Sequence, residues 1–251
     1  MNAALTGYYA TRIYLPLSAA SSRWRAFSRR MRGKHDAAVQ VRRLPRVSWS
    51  DATPSRRFDV WEGEKSHGDV RLSELAILSA FATQCADDTD LFEIGTFDGR
   101  TTFNLAMNSP VACRVHTLDL PPDTSTAFAI EGAERSLVDK ARSGARYERN
   151  RTEHPAAVGK ITQLLGDSGS FDFSPYAGRC SMVFVDGSHA YDYVHSDTKA
   201  AMSMVRPGGV IVWHDYGVWE GVTRALEEID ARERYGLRNI RGTSLVYWRK
   251  N

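Results

Sequence analysis

The residues best equipped for chemistry fall in two short runs. The first is Val183-Phe184-Val185-Asp186-Gly187-Ser188-His189-Ala190-Tyr191, and the second, His214-Asp215-Tyr216, begins 25 residues after His189. Each follows an apolar stretch that reads as a buried strand. If those strands are neighbours, two acids and two histidines meet at one lip of a sheet. An imidazole titrates near neutrality and can take a proton from a hydroxyl, so His189 is the first candidate for a general base and His214 the second. The plainer alternative is that both histidines only hydrogen-bond loop backbone, and spacing alone leaves the two readings open.

A second set lies upstream. Glu93-Ile94-Gly95-Thr96-Phe97-Asp98-Gly99-Arg100-Thr101-Thr102 stands between an apolar strand and a helix. There Gly95 permits a tight turn, and Gly99 lets a ligand or neighbouring backbone approach the helix start. Asp119 ends Val115-His116-Thr117-Leu118 about one βαβ step later, where a carboxylate can accept two hydrogen bonds from a ribose diol. Otherwise it caps the turn into Pro121-Pro122. Gly166-Asp167-Ser168 ends a third strand with an acid and a hydroxyl suited to an adenine amine.

These positions require a particular scaffold. Leu72 to Ala82 reads as a helix leading into a strand at Asp90–Gly95; Thr101–Met107 reads as a helix, Val115–Leu118 and Ile161–Leu165 as strands, and Met182–Val185 as a fourth strand. A helix over Tyr191–Met204 should stop at Arg206-Pro207-Gly208-Gly209, with a fifth strand at Val210–Trp213 and another helix at Val222–Arg232. Leu237–Arg241 and Leu245–Trp248 suggest a closing hairpin. The expected fold is α/β, a doubly wound, mostly parallel Rossmann-like sheet with a C-terminal antiparallel hairpin, and ligands beyond the carboxyl ends of its strands.

Together the glycine loop and the acids at successive strand tips resemble class I S-adenosylmethionine-dependent methyltransferases, over roughly residues 70 to 250. In that family an E-x-G-x-x-x-G loop surrounds the amino-acid part of the cofactor, an acid after the second strand binds ribose, and a later acid contacts adenine. The resemblance implies a cofactor site of Glu93, Gly95, Thr96, Phe97, Gly99, Thr101, Asp119, Gly166, Asp167, Ser168 and Asp186. A nicotinamide-dependent dehydrogenase also uses a glycine loop and a ribose-binding acid, but its G-x-G-x-x-G triplet is absent: Phe97 stands between Gly95 and Gly99, and residue 102 is threonine.

The D-x-x-H run with the later x-D is similar to the group that includes macrocin-type sugar O-methyltransferases and cephalosporin-hydroxylase-like proteins. That resemblance implies magnesium on Asp186 and Asp215, with His189 as the base. His214 stands where those relatives carry glutamate, which leaves three outcomes open: magnesium on two carboxylates and water, a softer ion that also uses His214, or no metal. The expected activity is methyl transfer to a small hydroxylated acceptor such as a sugar. A methyltransferase-like domain with another reaction remains the alternative, because fold carries cofactor more safely than reaction.

Composition sets the remaining bounds. Of 251 residues, 42% are hydrophobic and 25% charged, as in ordinary globular chains, and no apolar run is long enough to span a bilayer. Nine basic residues against one acid, Asp36, lie between Arg23 and Arg46, so the net charge of +3 hides a mildly acidic remainder. Residues 1–60 are therefore read as a basic N-terminal extension and 61–251 as the methyltransferase domain. Pro16 should interrupt any early helix. Trp24, Phe27 and Met31 fall at helical spacing among arginines, either an amphipathic helix making weak contact with an anionic membrane surface or a partner, or a solvated arm.

The same arm could serve an RNA-modifying or nucleic-acid-binding protein, but no RNA-binding motif accompanies it, so nucleic acid is not the expected partner. Tyr191, Tyr193, Trp213, Tyr216 and Trp219 cluster near the proposed mouth, as acceptor contacts or as packing. Polar residues 123–155 read either as a lid or as a solvated insertion. Cys85, Cys113 and Cys180 lack metal or redox spacing and suit reduced thiols in a cytoplasmic protein. A homo-oligomer is compatible with the sequence, which does not specify one.

Overall fold

The computed structural model describes residues 3–6, 9–18, 20, 21, 24, 42–53, 57–130, 135 and 142–251. Five parallel strands form one side of an eight-stranded sheet: β4 (Asp90–Ile94), β5 (Arg114–Asp119), β6 (Ile161–Leu165), β7 (Cys180–Val185) and β8 (Val205–Trp213). Their spatial order is β8-β7-β4-β5-β6, so the chain reverses direction across the sheet between β4 and β7. β10 (Val246–Arg249) runs antiparallel between β8 and β9 (Arg238–Ile240), which is the expected hairpin. A short β2 (Arg46–Val47) adds to β9 in parallel. Two more short strands, β1 (Leu5–Thr6) and β3 (Asp59–Val60), pair apart from the main sheet.

Alternation along the central strands feeds two cores. Leu91, Met182, Phe184 and Val212 point to the face covered by α2 (Leu72–Ala82), while Phe92, Ile94, Val183, Val185 and Ile211 point to the face covered by α6 (Tyr191–Met204) and α7 (Glu220–Glu233). Burial on both faces accounts for the unbroken apolar runs. α3 (Arg100–Asn108) starts at the glycine loop, and Phe103 packs against Tyr147 of α4 (Ala145–Arg149) and against Val158 of α5 (Pro155–Gly159). One earlier short helix, α1 (Trp49–Ala52), precedes them.

Two local expectations change. β8 begins at Val205 rather than 210, because Val205 pairs with Cys180 while Val210 pairs with Met182; Pro207, Gly208 and Gly209 form a bulge inside the strand. Pro16 lies within helical residues 15–18, next to a π-helical turn at Ala10–Tyr14 where the hydrogen-bond ladder is already displaced. β2 and the buried Leu44 tie part of segment 1–60 into the main sheet and core. Of the helix expected over residues 23–32, Trp24 is described and the rest lies outside the described residues. All three cysteines are free and buried. Among the described residues no helix is long and apolar enough to cross a membrane.

Candidate functional site

A cavity of about 640 Å³ opens over the carboxyl ends of β4, β5, β7 and β8, where the strand order reverses. Gly95, Thr96, Phe97, Thr101, Asp119, Gly166, Asp167, Ser168, Asp186, His189, His214 and Asp215 all line it. Glu93 and Gly99 do not. Gly99, at φ +86°, makes room for neighbouring backbone: a Cβ there would stand 2.7 Å from Gly144 Cα. Gly95 is under tighter demand, since at φ +98° its Cβ would meet the Asp186 carbonyl oxygen at 2.1 Å. The β4 and β7 loops therefore touch backbone to backbone at the switch point, and glycine alone permits that contact.

Glu93 lies beneath this loop, fully buried. Its Oε2 accepts hydrogen bonds from Thr102 Oγ1 and, at 2.7 Å, from Thr117 Oγ1, while Oε1 has no partner among the described residues. Burial pushes its carboxyl up to about 8. Asp119 is also raised by burial, against hydrogen bonds from Ser143 and from the backbone of Phe97, Leu120 and Thr96. Asp167 is braced by Ala127 N at 2.6 Å, Gly169 N at 3.1 Å and Tyr193 Oη at 2.6 Å.

The other end of the cavity is ionic. His189 Nε2 lies 2.8 Å from Asp215 Oδ2, and its ring stacks on Trp219 with centroids 4.5 Å apart and planes 3° from parallel. His214 Nδ1 lies 2.9 Å from Asp186 Oδ1 and 3.3 Å from Asp215 Oδ1, and its Nε2 lies 3.4 Å from Glu74 Oε2. Burial disfavours charge on His214, but Asp186 and Asp215 outweigh it and hold the ring proton far above imidazole's ordinary range. Burial likewise works to raise Asp215, and the charge of His214 with the hydrogen bond from His189 keeps it well below the usual carboxylate range. On Asp186 burial prevails and the shift is upward.

Glu74, on the first turn of α2, had no signal in the sequence beyond its place in a helix start. It accepts from Ser244 N at 2.7 Å and Ser244 Oγ at 2.8 Å, both delivered by the β9–β10 turn, and from Arg71 N at 3.0 Å and Nε at 2.9 Å. Burial opposes its ionisation, yet Arg71 and His214 hold it well below the ordinary range. Arg71 and Ser244 reach the cavity as well, again unanticipated, as do Lys65 and His67 on the strap before α2. That strap is pinned from below: Arg100 Nε donates to Glu62 O at 2.7 Å and Nη1 to Val70 O at 2.9 Å. Arg146 ties the strap to the glycine loop, bonding Asp98 Oδ2 at 2.8 Å and Glu64 O at 2.7 Å.

The 123–155 segment thus divides. Ala127 and Ile130 close over the Asp167 end, whereas Arg146 and α4 brace the strap and α3. Of the clustered aromatics, Tyr193 and Trp219 line the cavity; Trp213 and Tyr216 are core, with Trp213 Nε1 donating to Thr198 at 3.0 Å.

The donor atoms of Asp186, His214 and Asp215 lie within 4.8 Å of one another. Neighbouring ligands in an octahedral shell of about 2.1 Å radius stand about 3 Å apart, so the 2.9 and 3.3 Å separations about Nδ1 suit a small divalent ion. Glu74 is placed to accept the opposite ring N–H, the outer contact that commonly orients a metal-ligating histidine.

Among solved structures, the chain is similar to the O-methyltransferase TomG from Streptomyces achromogenes, involved in tomaymycin synthesis and solved with S-adenosylmethionine, at 19% identity, 73% of this chain, 82% of that one and a TM-score of 0.49. It is also similar to the calicheamicin methyltransferase CalS11 (14%, 70% and 77%, 0.48). A third is an O-methyltransferase from Bacillus cereus in complex with SAH (16%, 74% and 84%, 0.47). No curated protein matches. Residues 92–216, which run from β4 through the glycine loop to His214, Asp215 and Tyr216, match the family described as a methyltransferase domain. Through that segment, just under half of its length, the chain carries a methyltransferase domain.

Proposed function

We propose that this enzyme methylates a hydroxyl of a small, sugar-like acceptor, with His189 as general base. One observation carries the reading: the His189–Asp215 pair, stacked on Trp219, lines the same cavity as Gly95, Asp119 and Asp167. The glycine loop, Asp119 and Asp167 would hold the cofactor's amino-acid, ribose and adenine parts in turn. That arrangement directs the sulfonium methyl toward the histidine end.

Methyl transfer is an in-line displacement: the acceptor oxygen forms a bond to the methyl carbon, the carbon–sulfur bond breaks, and S-adenosylhomocysteine leaves. The protein must align the oxygen and take its proton. Asp215 fixes the His189 ring and stabilises the imidazolium that forms. His214 is a poor second candidate for base, since carboxylate oxygens face both of its ring nitrogens and keep them protonated, with no lone pair for an incoming proton. A divalent ion on Asp186 and Asp215, or one that displaced the Nδ1 proton and so used His214 as well, would make an acceptor hydroxyl easier to deprotonate. Arg71, Ser188 and Ser244 surround that end with hydrogen-bonding groups, and the face of Trp219 is covered by His189, which favours a polyhydroxylated acceptor over a flat aromatic one.

The test is transfer of labelled methyl from S-adenosylmethionine to panels of glycosides, catechols, carboxylic acids and amines. A base-stable methyl ether on a glycoside is expected. A base-labile ester or an N-methyl product as the main product would overturn the reading.

A further inference from the structure

The stretch from Tyr9 to Trp24 has two faces. Ala10, Thr11 and Leu15 are buried, with Ala10 and Leu15 in the core that α2 covers. Among the described residues of this stretch, those exposed to solvent are Tyr9, Arg12, Ile13, Pro16, Leu17, Ala20, Ser21 and Trp24. Their spacing of three and four places them along one side of a helix. Tyr9, Ile13, Leu17 and Trp24 are 46%, 42%, 64% and 70% exposed, so four of the seven large apolar side chains left in solvent among the described residues share this one stripe. No acid falls between Tyr9 and Trp24, and the sequence continues directly into the run of nine basic residues against one acid that ends at Arg46.

An apolar stripe with an aromatic residue at one end, no carboxylate and an adjoining excess of arginine is the composition that lies in the headgroup region of an anionic bilayer. A protein partner would need an acidic surface to match the arginines and an apolar groove to match the stripe, whereas an anionic lipid surface supplies both at once. The stripe is also firmly mounted. Its inner side is core, so it meets a membrane as a fixed edge of the enzyme.

We propose that the 9–24 face, together with the arginine-rich sequence after it, docks the enzyme on an anionic lipid surface. Tyr14, on the inner side of the same stretch, packs against the core that α2 covers, and the first turn of α2 carries Glu74, which lines the cavity. The docking itself is independent of the acceptor reading above.

Flotation of the full chain with vesicles separates the outcomes. Vesicles of phosphatidylcholine with about 30% phosphatidylglycerol should carry the protein, pure phosphatidylcholine should bind at least about tenfold less, and raising salt should release it. The exposed triple variant Ile13→Glu, Leu17→Glu, Trp24→Glu should lose vesicle binding by about tenfold or more while keeping its melting temperature and its S-adenosylmethionine affinity. A second variant with Arg29, Arg30 and Arg32 changed to Gln should weaken binding to anionic vesicles alone. No binding to anionic vesicles, or binding that the triple variant leaves intact, overturns the proposal. So does a concentration-dependent dimer in sedimentation that the triple variant abolishes, because the stripe would then be a self-association surface. Loss of glycoside methylation with retained flotation would count against the acceptor reading and leave docking standing.

Discussion

Two buried glutamates mark the two ends of the cavity, and they are in opposite states. Glu93, beneath the glycine loop, is held by threonine hydroxyls and pushed up to about 8; Glu74, beneath the histidines, is held by Arg71 and His214 and stays ionised. Burial acts on both in the same direction. What differs is the partner: a hydroxyl can serve either form of a carboxyl, whereas a fixed cation selects the charged one. The glycine-loop end is thus built from backbone contacts and carboxyls held by amide and hydroxyl donors, and the histidine end from paired charges that span α2, β7, β8 and the β9–β10 turn.

The contrast predicts that damage at the two ends will differ in kind. His189→Ala should lower turnover by about two to four orders of magnitude with S-adenosylmethionine affinity kept, as expected for loss of a general base. Calorimetry beside a steady-state assay checks it, and retained turnover would remove His189 from the chemistry. Gly95→Ala should do the reverse, destabilising the cofactor end before any chemistry. Its Cβ must displace the Asp186 backbone from 2.1 Å at a positive φ, a loss of about 3 kcal/mol or more. Gly178→Ala is the control: its φ of +66° is similar, but nothing lies within 4 Å of the added carbon, so only about 1 kcal/mol should be lost.

The two ends also differ in how far they could be read from sequence. The glycine loop, Asp119 and Gly166-Asp167-Ser168 each sit at the tip of a strand that local apolar runs reveal, so placing the strands placed the residues. The D-x-x-H and H-D runs were found in the same way. Glu74, Arg71 and Ser244 were not, because their meeting depends on α2 crossing beneath the β9–β10 turn, a contact 170 residues apart in sequence. No local pattern encodes it. Glu93 shows the converse: its place in the E-x-G motif suggested cofactor contact, but alternation along β4 turns its side chain to the α2 face, away from the cavity. β2 escaped notice because two residues carry no periodicity.

Glu74→Gln tests the charged end. Removing one partner of a buried ionic cluster typically costs about 3–5 kcal/mol, and retained hydrogen bonding in glutamine brings the expectation to about 2–3 kcal/mol. The pH dependence carries the sign. A carboxyl whose folded pKa lies below its unfolded one stabilises the fold above the unfolded pKa and loses that contribution as pH falls. The wild type should therefore lose stability on acidification more steeply than Glu74→Gln, and the two curves should converge at low pH. Parallel curves would mean that Glu74 is not held ionised by Arg71 and His214.

Glu93→Gln should show the opposite slope. With a folded pKa of about 8 against an ordinary value of 4.5, the folded state keeps a proton that the unfolded chain has released. Wild-type stability should fall as pH rises between those values and level off above 8. Glutamine is the neutral isostere of the protonated form, so Glu93→Gln should match the wild type near pH 4.5 and exceed it by about 4 kcal/mol at pH 8.5. Thermal melts at the two pH values decide it. A variant that gains nothing at pH 8.5 would show that Thr102 and Thr117 suffice to hold Glu93 as a carboxylate, and the two ends of the cavity would then share one electrostatic design.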